Sequence, residues 1–150
     1  MSEVMSPVEA GQTYLELHHQ LHRIVDQAMS SAGLSLARAK VLMRLDAHGP
    51  MNQATLAGLL GFAPRSVTET IDGLERDELV TRTEDPHDRR SRIIALTASG
   101  RDALQVAMTA RSKTMDEIFG VLDPTERAQL VALLKTIREN LAQGDTGCGN

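Results

Sequence analysis

Two short β-type runs, separated by an arginine-rich turn, interrupt a chain that is otherwise patterned as helices. The runs are predicted at 79–84 and 92–97, and the turn between them, residues 85–91, has the sequence DPHDRRS. Proline, aspartate and serine favour a turn, whereas the aliphatic and β-branched residues on either side favour strands. The pattern predicts a β-hairpin that carries several guanidinium groups at one exposed end.

Most of the remaining sequence shows helical periodicity, in which apolar side chains recur every three or four residues. Glycine or proline separates these segments, and several begin after a residue that can cap a helix N-terminus. The predicted helices lie at about 8–32, 36–48, 53–60, 64–78, 98–122 and 124–143. The predicted fold class is therefore mainly α, with six helices and one small β-hairpin.

Length and composition limit the number of domains, the make-up of the core and the cellular compartment. A chain of 150 residues suits one domain, and its one Tyr and two Phe leave aliphatic residues, methionine and alanine to build the core. The single cysteine, Cys148, has no partner for an internal disulfide, and neither a signal peptide nor a membrane-spanning apolar run is evident. These features predict a cytoplasmic protein with no membrane partner.

Charge is unevenly distributed along the chain. The net charge of −4 argues mildly against nucleic acid as a partner. Between residues 81 and 92, however, four arginines accompany three acidic residues, whereas residues 1–33 contain one arginine and four acidic residues. Because the local field matters more than net charge for binding in a groove, the hairpin remains a candidate for DNA contact.

The helices predicted at 53–60 and 64–78 are joined by a tight turn at Gly61, and the hairpin follows them. Two short helices and a hairpin in this order predict a winged helix-turn-helix. The second helix should bury Val67, Ile71 and Leu74, which leaves its N-terminal half free to meet base edges in a major groove. The side chains predicted to do so are Arg65, Ser66, Thr68, Glu69 and Thr70. The alternative is an ordinary helical hairpin.

The hairpin arginines are the second group of candidate DNA contacts, since a narrow minor groove attracts an inserted arginine. The predicted residues are Arg89, Arg90 and Arg92. Asp88 can orient Arg90 through a charge-assisted hydrogen bond to its side chain. The alternative is a solvated charged turn.

Residues 53–100 resemble the MarR family of bacterial transcriptional regulators. The resemblance lies in LAGLLG, in SVTETIDGLERDELVTRTEDPHDRRSRIIALTASG, and above all in the D-x-R and L-T-x-x-G motifs. It implies a homodimer on a pseudo-palindromic operator in double-stranded DNA, with Arg90 at the tip of the wing and Asp88 as its support. The implied single domain spans 8–144, with a DNA-binding lobe at about 36–97 and dimerisation helices at about 8–32 and 98–143. The glycine-rich composition at the C-terminus predicts a disordered tail at 145–150.

Two positions depart from the family pattern. Members often have a basic residue where this chain has Glu69, which could accept a hydrogen bond from a cytosine amino group or pair with Arg65. Glu78 replaces the glycine that is usual before the first strand of the wing.

The first helix has an apolar arc of about half its circumference, wider than the roughly 100° stripe of an ordinary surface helix. Such a helix packs on its own domain and on something else, often a second subunit. His18 and His22 lie inside the arc, and Arg111 interrupts the apolar face of the fifth helix. These three residues are candidates for binding a small aromatic or anionic effector, as the layout of the family implies. The alternatives are that the histidines form hydrogen bonds within the protein, and that the arginine snorkels to solvent or forms a salt bridge to a second subunit. A bound metal, a cofactor and a thiol switch at Cys148 are not favoured.

The leading hypothesis is a homodimeric repressor that a small ligand releases from its operator. A transcriptional activator and a ligand-independent regulator of the same fold stay open. An enzyme is disfavoured because no histidine has an evident nucleophile partner and no glycine-rich phosphate loop is present. A winged-helix protein-interaction module is disfavoured by the outward arginines.

Overall fold

The computed structural model describes residues 4–145 as six helices and one three-stranded sheet. The elements are α1 (Pro7–Ser31), α2 (Leu36–His48), β1 (Met51–Asn52), α3 (Gln53–Leu60), α4 (Pro64–Arg76), β2 (Val80–Asp85), β3 (Asp88–Leu96), α5 (Ala98–Phe119) and α6 (Pro124–Asp145). This succession confirms the predicted mainly α fold with a hairpin wing, formed by β2 and β3. The predicted tail lies outside the described residues apart from Asp145, which ends α6.

Side chains cap the first turns of α1, α2 and α3. Ser35 accepts a hydrogen bond from the backbone of Arg38, and Asn52 accepts one from the backbone of Thr55. At the start of α1, Ser6 and Glu9 form a capping box, and the hydrogen bond from the Ser6 backbone lowers the pKa of Glu9. Gly61, at φ 65°, ends α3 in the left-handed conformation that permits the tight turn before α4.

The sheet corrects the predicted hairpin in two ways. The strands reach farther than predicted, since Asp85 pairs with Asp88 and only residues 86–87 lie between β2 and β3. The two-residue strand β1 was not predicted; Met51 pairs with Ile94, so β3 is the central strand. A segment of two residues shows no alternation, which is why sequence periodicity missed it.

The chain divides into two compact units, residues 1–112 and 113–150. In the described part of the first unit, the core is aliphatic, as the composition required, and it draws on α1 to α5 and on the wing strands. Its fully buried side chains include Met29, Leu34, Leu42, Leu56, Val67, Ile71, Leu74 and Ile94. The N-terminal two-thirds of α1 contributes little to this core, and Tyr14, Leu15 and Leu17 are exposed.

The second unit contains the end of α5 and all described residues of α6. The apolar face predicted for this last helix is present but exposed, with Leu133, Ile137 and Leu141 more than half accessible. Within residues 4–145, no helix combines the length and apolarity needed to cross a lipid bilayer.

Candidate nucleic-acid interface

Helix α4 presents one buried face and one open face. Val67, Ile71 and Leu74 are completely buried, as predicted, and they hold the helix against the first unit. The opposite face of its N-terminal half carries Arg65 and Ser66, both exposed to solvent. The packing of α3 and α4 therefore leaves the predicted reading face of α4 unobstructed within the described chain.

Arg65 and Glu69 form an ion pair one helical turn apart. The Arg65 Nε atom lies 3.2 Å from the Glu69 Oε1 atom, and the side chains remain 91% and 68% exposed. This is one of the two roles predicted for Glu69. Because the pair is almost fully hydrated, it costs little to break, and both side chains remain available to a partner.

The two threonines of α4 donate their hydroxyl protons to the backbone of their own helix. The Thr68 Oγ1 atom lies 3.0 Å from the Pro64 carbonyl oxygen, and the Thr70 Oγ1 atom lies 2.8 Å from that of Ser66. Thr70 is half-buried, so it is less accessible than the other predicted contacts.

Sequence reasoning missed the part that Gln53 plays in this face. Its Nε2 atom donates to the Thr68 hydroxyl at 2.7 Å and so links the first turn of α3 to the second turn of α4. The signal available in the sequence was weak, since a glutamine at the start of a helix is unremarkable on its own.

In the wing, Arg89 and Arg90 are exposed, and within residues 4–145 neither guanidinium has an ion-pair or hydrogen-bond partner. Arg92 pairs across the hairpin with Glu84, at 3.2 Å between the Nη1 and Oε1 atoms. The predicted bond between Asp88 and the Arg90 side chain is wrong. The Asp88 Oδ1 atom instead accepts from the Arg90 backbone N–H at 2.9 Å, so Asp88 shapes the chain at the hairpin end.

The helix-turn-helix and the wing enclose one groove of about 920 Å³. Thr68 and Gln53 line it from the helices, and Asp88, Arg90 and Arg92 line it from the wing. Of the predicted contacts, Thr68 is thus brought to one concave surface with three residues of the wing. The other predicted contacts do not line this groove, namely Arg65, Ser66, Glu69, Thr70 and Arg89.

Two further arginines, which sequence reasoning did not single out, hold α4 in place. Arg38 of α2 contacts Asp77 at 2.6 Å, and Arg82 of β2 contacts Asp72 at 2.6 Å and Glu75 at 3.8 Å. Both arginine side chains are largely covered, and their Nε atoms are buried without a hydrogen bond. These contacts join α4 to α2 on one side and to the wing on the other.

The predicted effector residues are only partly brought together. Tyr14, His18 and His22 form a ladder along α1, with ring centroids 5.9 Å and then 6.4 Å apart. Arg111 is half-buried on α5, and within the described chain it makes no hydrogen bond or ion pair. The described residues contain no group of three or more His, Cys, Asp or Glu side chains that could hold a metal ion.

The chain is similar to a family of bacterial proteins in sequence. The model of the MarR family matches residues 34–91, from the end of the α1–α2 loop to the middle of β3. The HTH-type transcriptional regulator YkoM of Bacillus subtilis is 32% identical over 103 residues, which cover 69% of this chain and 67% of YkoM. The HTH-type transcriptional repressor NicR of Pseudomonas putida is 26% identical over 85% of this chain and 80% of its own.

The fold comparison agrees with these relatives. A mutant of Escherichia coli MarR, crystallised in complex with operator DNA, superposes with a TM-score of 0.73 and 21% identity. The superposition covers 91% of this chain and 99% of that one. At this level of identity the likeness establishes the fold.

Proposed function

Because the chain belongs to the MarR family, we propose that it is a sequence-specific DNA-binding regulator of transcription that acts as a homodimer. The observation that carries the proposal is the groove shared by α4 and the wing, where Thr68, Arg90 and Arg92 lie together. The E. coli MarR structure with operator DNA supports the choice of ligand. The enzyme hypothesis is set aside, since the relatives are regulators of transcription.

In this proposal α4 enters a major groove and the wing reaches the neighbouring minor groove. Arg65, Ser66, Thr68, Glu69 and Thr70 are the candidate contacts to base edges and to nearby phosphates. Arg89 and Arg90 are suited to the minor groove because their guanidinium groups have no partner to give up within the described chain. Asp88 and Arg92 support the wing from within the groove.

The homodimer would be built from α1 and α6, within one functional domain at 8–144. Both helices expose apolar side chains, such as Leu15 on α1 and Leu141 on α6, and burial of these side chains against a second subunit would be favourable. A twofold axis through this region would place two lobes, each at about 36–97, on one face of the duplex. Two half-sites about 34 Å apart, one helical turn, make a pseudo-palindromic operator.

We assign repression as the direction of regulation, because the relative NicR is a repressor; activation is the second candidate. A cytoplasmic location follows from the role. A small aromatic or anionic ligand would release the DNA by favouring a dimer whose recognition helices are wrongly spaced. His18 and His22 belong to the exposed ladder on α1, and with Arg111 they are the residues proposed to hold that ligand.

Selection of bound sequences from random duplex DNA tests the proposal. We expect enrichment of an inverted repeat with half-site centres about 10 base pairs apart, bound by two chains with affinity that falls steeply as salt rises. Enrichment of no sequence, or binding that salt does not weaken, would show that the proposed function is wrong.

The ligand proposal is tested separately on the selected DNA. Benzoate serves as a simple aromatic anion, and release of DNA is followed by fluorescence anisotropy. His22→Ala and Arg111→Ala should raise the benzoate concentration needed for release while DNA affinity stays unchanged. An unaltered benzoate response in both variants would exclude these residues as the effector site.

A further inference from the structure

The Thr68 hydroxyl reaches the groove with its hydrogen-bonding capacity already partly used. A threonine hydroxyl has one proton to donate and two lone pairs that can accept. The proton is donated to the Pro64 carbonyl at 3.0 Å, and one lone pair accepts from the Gln53 amide at 2.7 Å. One lone pair and the γ-methyl group remain for a partner in the groove.

This outcome does not depend on which way the Gln53 amide is turned. With its oxygen toward Thr68, the amide would become an acceptor for the same hydroxyl proton, which would again stay within the protein. In both orientations Thr68 offers the groove an acceptor and no donor.

Ser66, one position past Arg65, provides the contrast. Its hydroxyl is exposed and makes no hydrogen bond within the described chain, although its carbonyl accepts from Thr70. It can therefore rotate and serve either as donor or as acceptor, and it imposes no single base. Thr68 differs because Gln53 and Pro64 hold its hydroxyl from two sides.

We propose that Gln53 is a specificity-determining residue, which acts by presenting Thr68 to DNA as an acceptor only. This inference rests on the proposed function. In the major groove, adenine and cytosine present an amino group, whereas guanine and thymine present carbonyl oxygens. A lone pair on Thr68 attracts the amino group and repels the carbonyl. One position in each half-site should therefore favour adenine or cytosine on the contacted strand.

The experiment is the same selection from random duplex DNA, carried out with the full chain and four variants. The wild-type protein should prefer adenine or cytosine over guanine or thymine at one position per half-site, by about 3- to 10-fold for a single contact. Thr68→Val, which keeps the shape and removes the acceptor, should make that position indifferent. Thr68→Ser, which keeps the hydroxyl, should preserve the preference.

Gln53→Ala tests the residue that the proposal singles out. By donating to Oγ1, the amide reinforces the hydrogen bond from the Thr68 hydroxyl to the Pro64 carbonyl. Without the amide, the hydroxyl can rotate away from that carbonyl and donate, so guanine and thymine should be admitted at the same position while the other positions keep their preferences. Gln105→Ala, an exposed glutamine on α5 away from the groove, is the matched control and should reproduce the wild-type selection.

The outcomes separate the inference from the function on which it rests. A position that relaxes in both Thr68→Val and Gln53→Ala supports the inference. An enriched operator that is the same in wild type, Thr68→Val and Gln53→Ala overturns the inference and leaves the proposed function standing. No enrichment with the wild-type protein overturns the proposed function, and this inference with it.

Discussion

The two halves of α4 hold their charged side chains in opposite ways. Toward its C-terminus, Asp72 and the C-cap residue Asp77 each bind an arginine from another element at 2.6 Å, and those arginines are only 22–25% exposed. Toward its N-terminus, Arg65 pairs within the described chain only with Glu69 of the same helix, at 3.2 Å and largely in water. The charged side chains of the C-terminal half are bound to other elements, whereas those of the N-terminal half remain available to a partner.

The same division runs through the wing. Arg82, near the start of β2, is covered and bound by carboxylates, whereas Arg89 and Arg90, at the far end of the hairpin, are exposed. Substitutions on the attached side should therefore lower stability first, and substitutions on the open side should lower DNA affinity without lowering stability.

The largest effect is expected at Gly100, the buried glycine of the L-T-x-x-G motif. A Cβ atom at this position would overlap the Leu79 carbonyl oxygen, and that oxygen is fixed in the backbone before β2. Gly100→Ala should therefore lower the free energy of unfolding by about 3 kcal/mol, the upper end for an overpacked site. This loss of stability is measured by urea unfolding, as a decrease in the urea concentration at the unfolding midpoint.

Gly58→Ala is the matched control for this substitution. Gly58 lies in α3, where an added Cβ would meet nothing within 4 Å. The same change should there raise stability by about 0.5–1 kcal/mol, because alanine is the better helix former. If both variants moved the midpoint in the same direction, the close approach at Gly100 would not be the cause.

On the open side, Arg90→Ala should weaken binding to the selected operator by about 2 kcal/mol, roughly 30-fold, and leave unfolding unchanged. The affinity should also become less sensitive to salt, because fewer counterions are released. Fluorescence anisotropy over a range of salt concentrations measures both. Arg44→Ala, an exposed arginine on α2 outside the groove, should change neither quantity. An Arg90 variant that is unstable, or that binds as well as wild type, contradicts the separation.

Arg82→Ala should lower stability by about 1–2 kcal/mol, since it removes a covered side chain together with its contacts to Asp72 and Glu75. The value stays modest because both carboxylates are nearly half exposed and regain water. A double-mutant cycle with Asp72→Ala isolates the pair, and the two losses should not add. Arg82→Lys should lose less stability than Arg82→Ala, because lysine keeps the positive charge but lacks the planar guanidinium group with its several donors. Strict additivity would mean that the ion pair does not hold α4 to the wing.

How far the sequence predicted this molecule depends on how local each feature is. The bounds of α2 and α3 agree with prediction because periodicity and caps are encoded within a few residues, as Ser35 and Asn52 show. The buried face of α4 follows from the same periodicity. Strand β1 was missed because its two residues show no alternation and its pairing partners, Ile93 and Ile94, lie far away in the sequence.

In the candidate site, too, local features were predicted and long-range contacts were not. Its residue types were predicted, since Arg65, Glu69 and Arg90 lie where helical and hairpin geometry place them. The contacts between elements were not predicted: Arg38 meets Asp77 across 39 positions, and Gln53 meets Thr68 across 15. Asp88 bonds the backbone of Arg90 and not its side chain, and this depends on where the hairpin turns. The predicted turn was longer than the observed one, so this contact could not be predicted.

The smallest effect is expected at the junction between the attached half of α4 and the wing. Glu78 adopts φ 58°, the left-handed region that costs a side-chain-bearing residue about 1–2 kcal/mol, and its carbonyl accepts from Thr97. Glu78→Gly should relieve this strain and, after the entropy that glycine loses on folding, raise stability by about 0.5–1 kcal/mol without changing DNA affinity. Glu78→Ala is the control, because alanine removes the carboxylate but keeps the strain. An equal gain from alanine and glycine would trace the effect to charge, whereas a gain from glycine alone would confirm that the backbone conformation limits stability here.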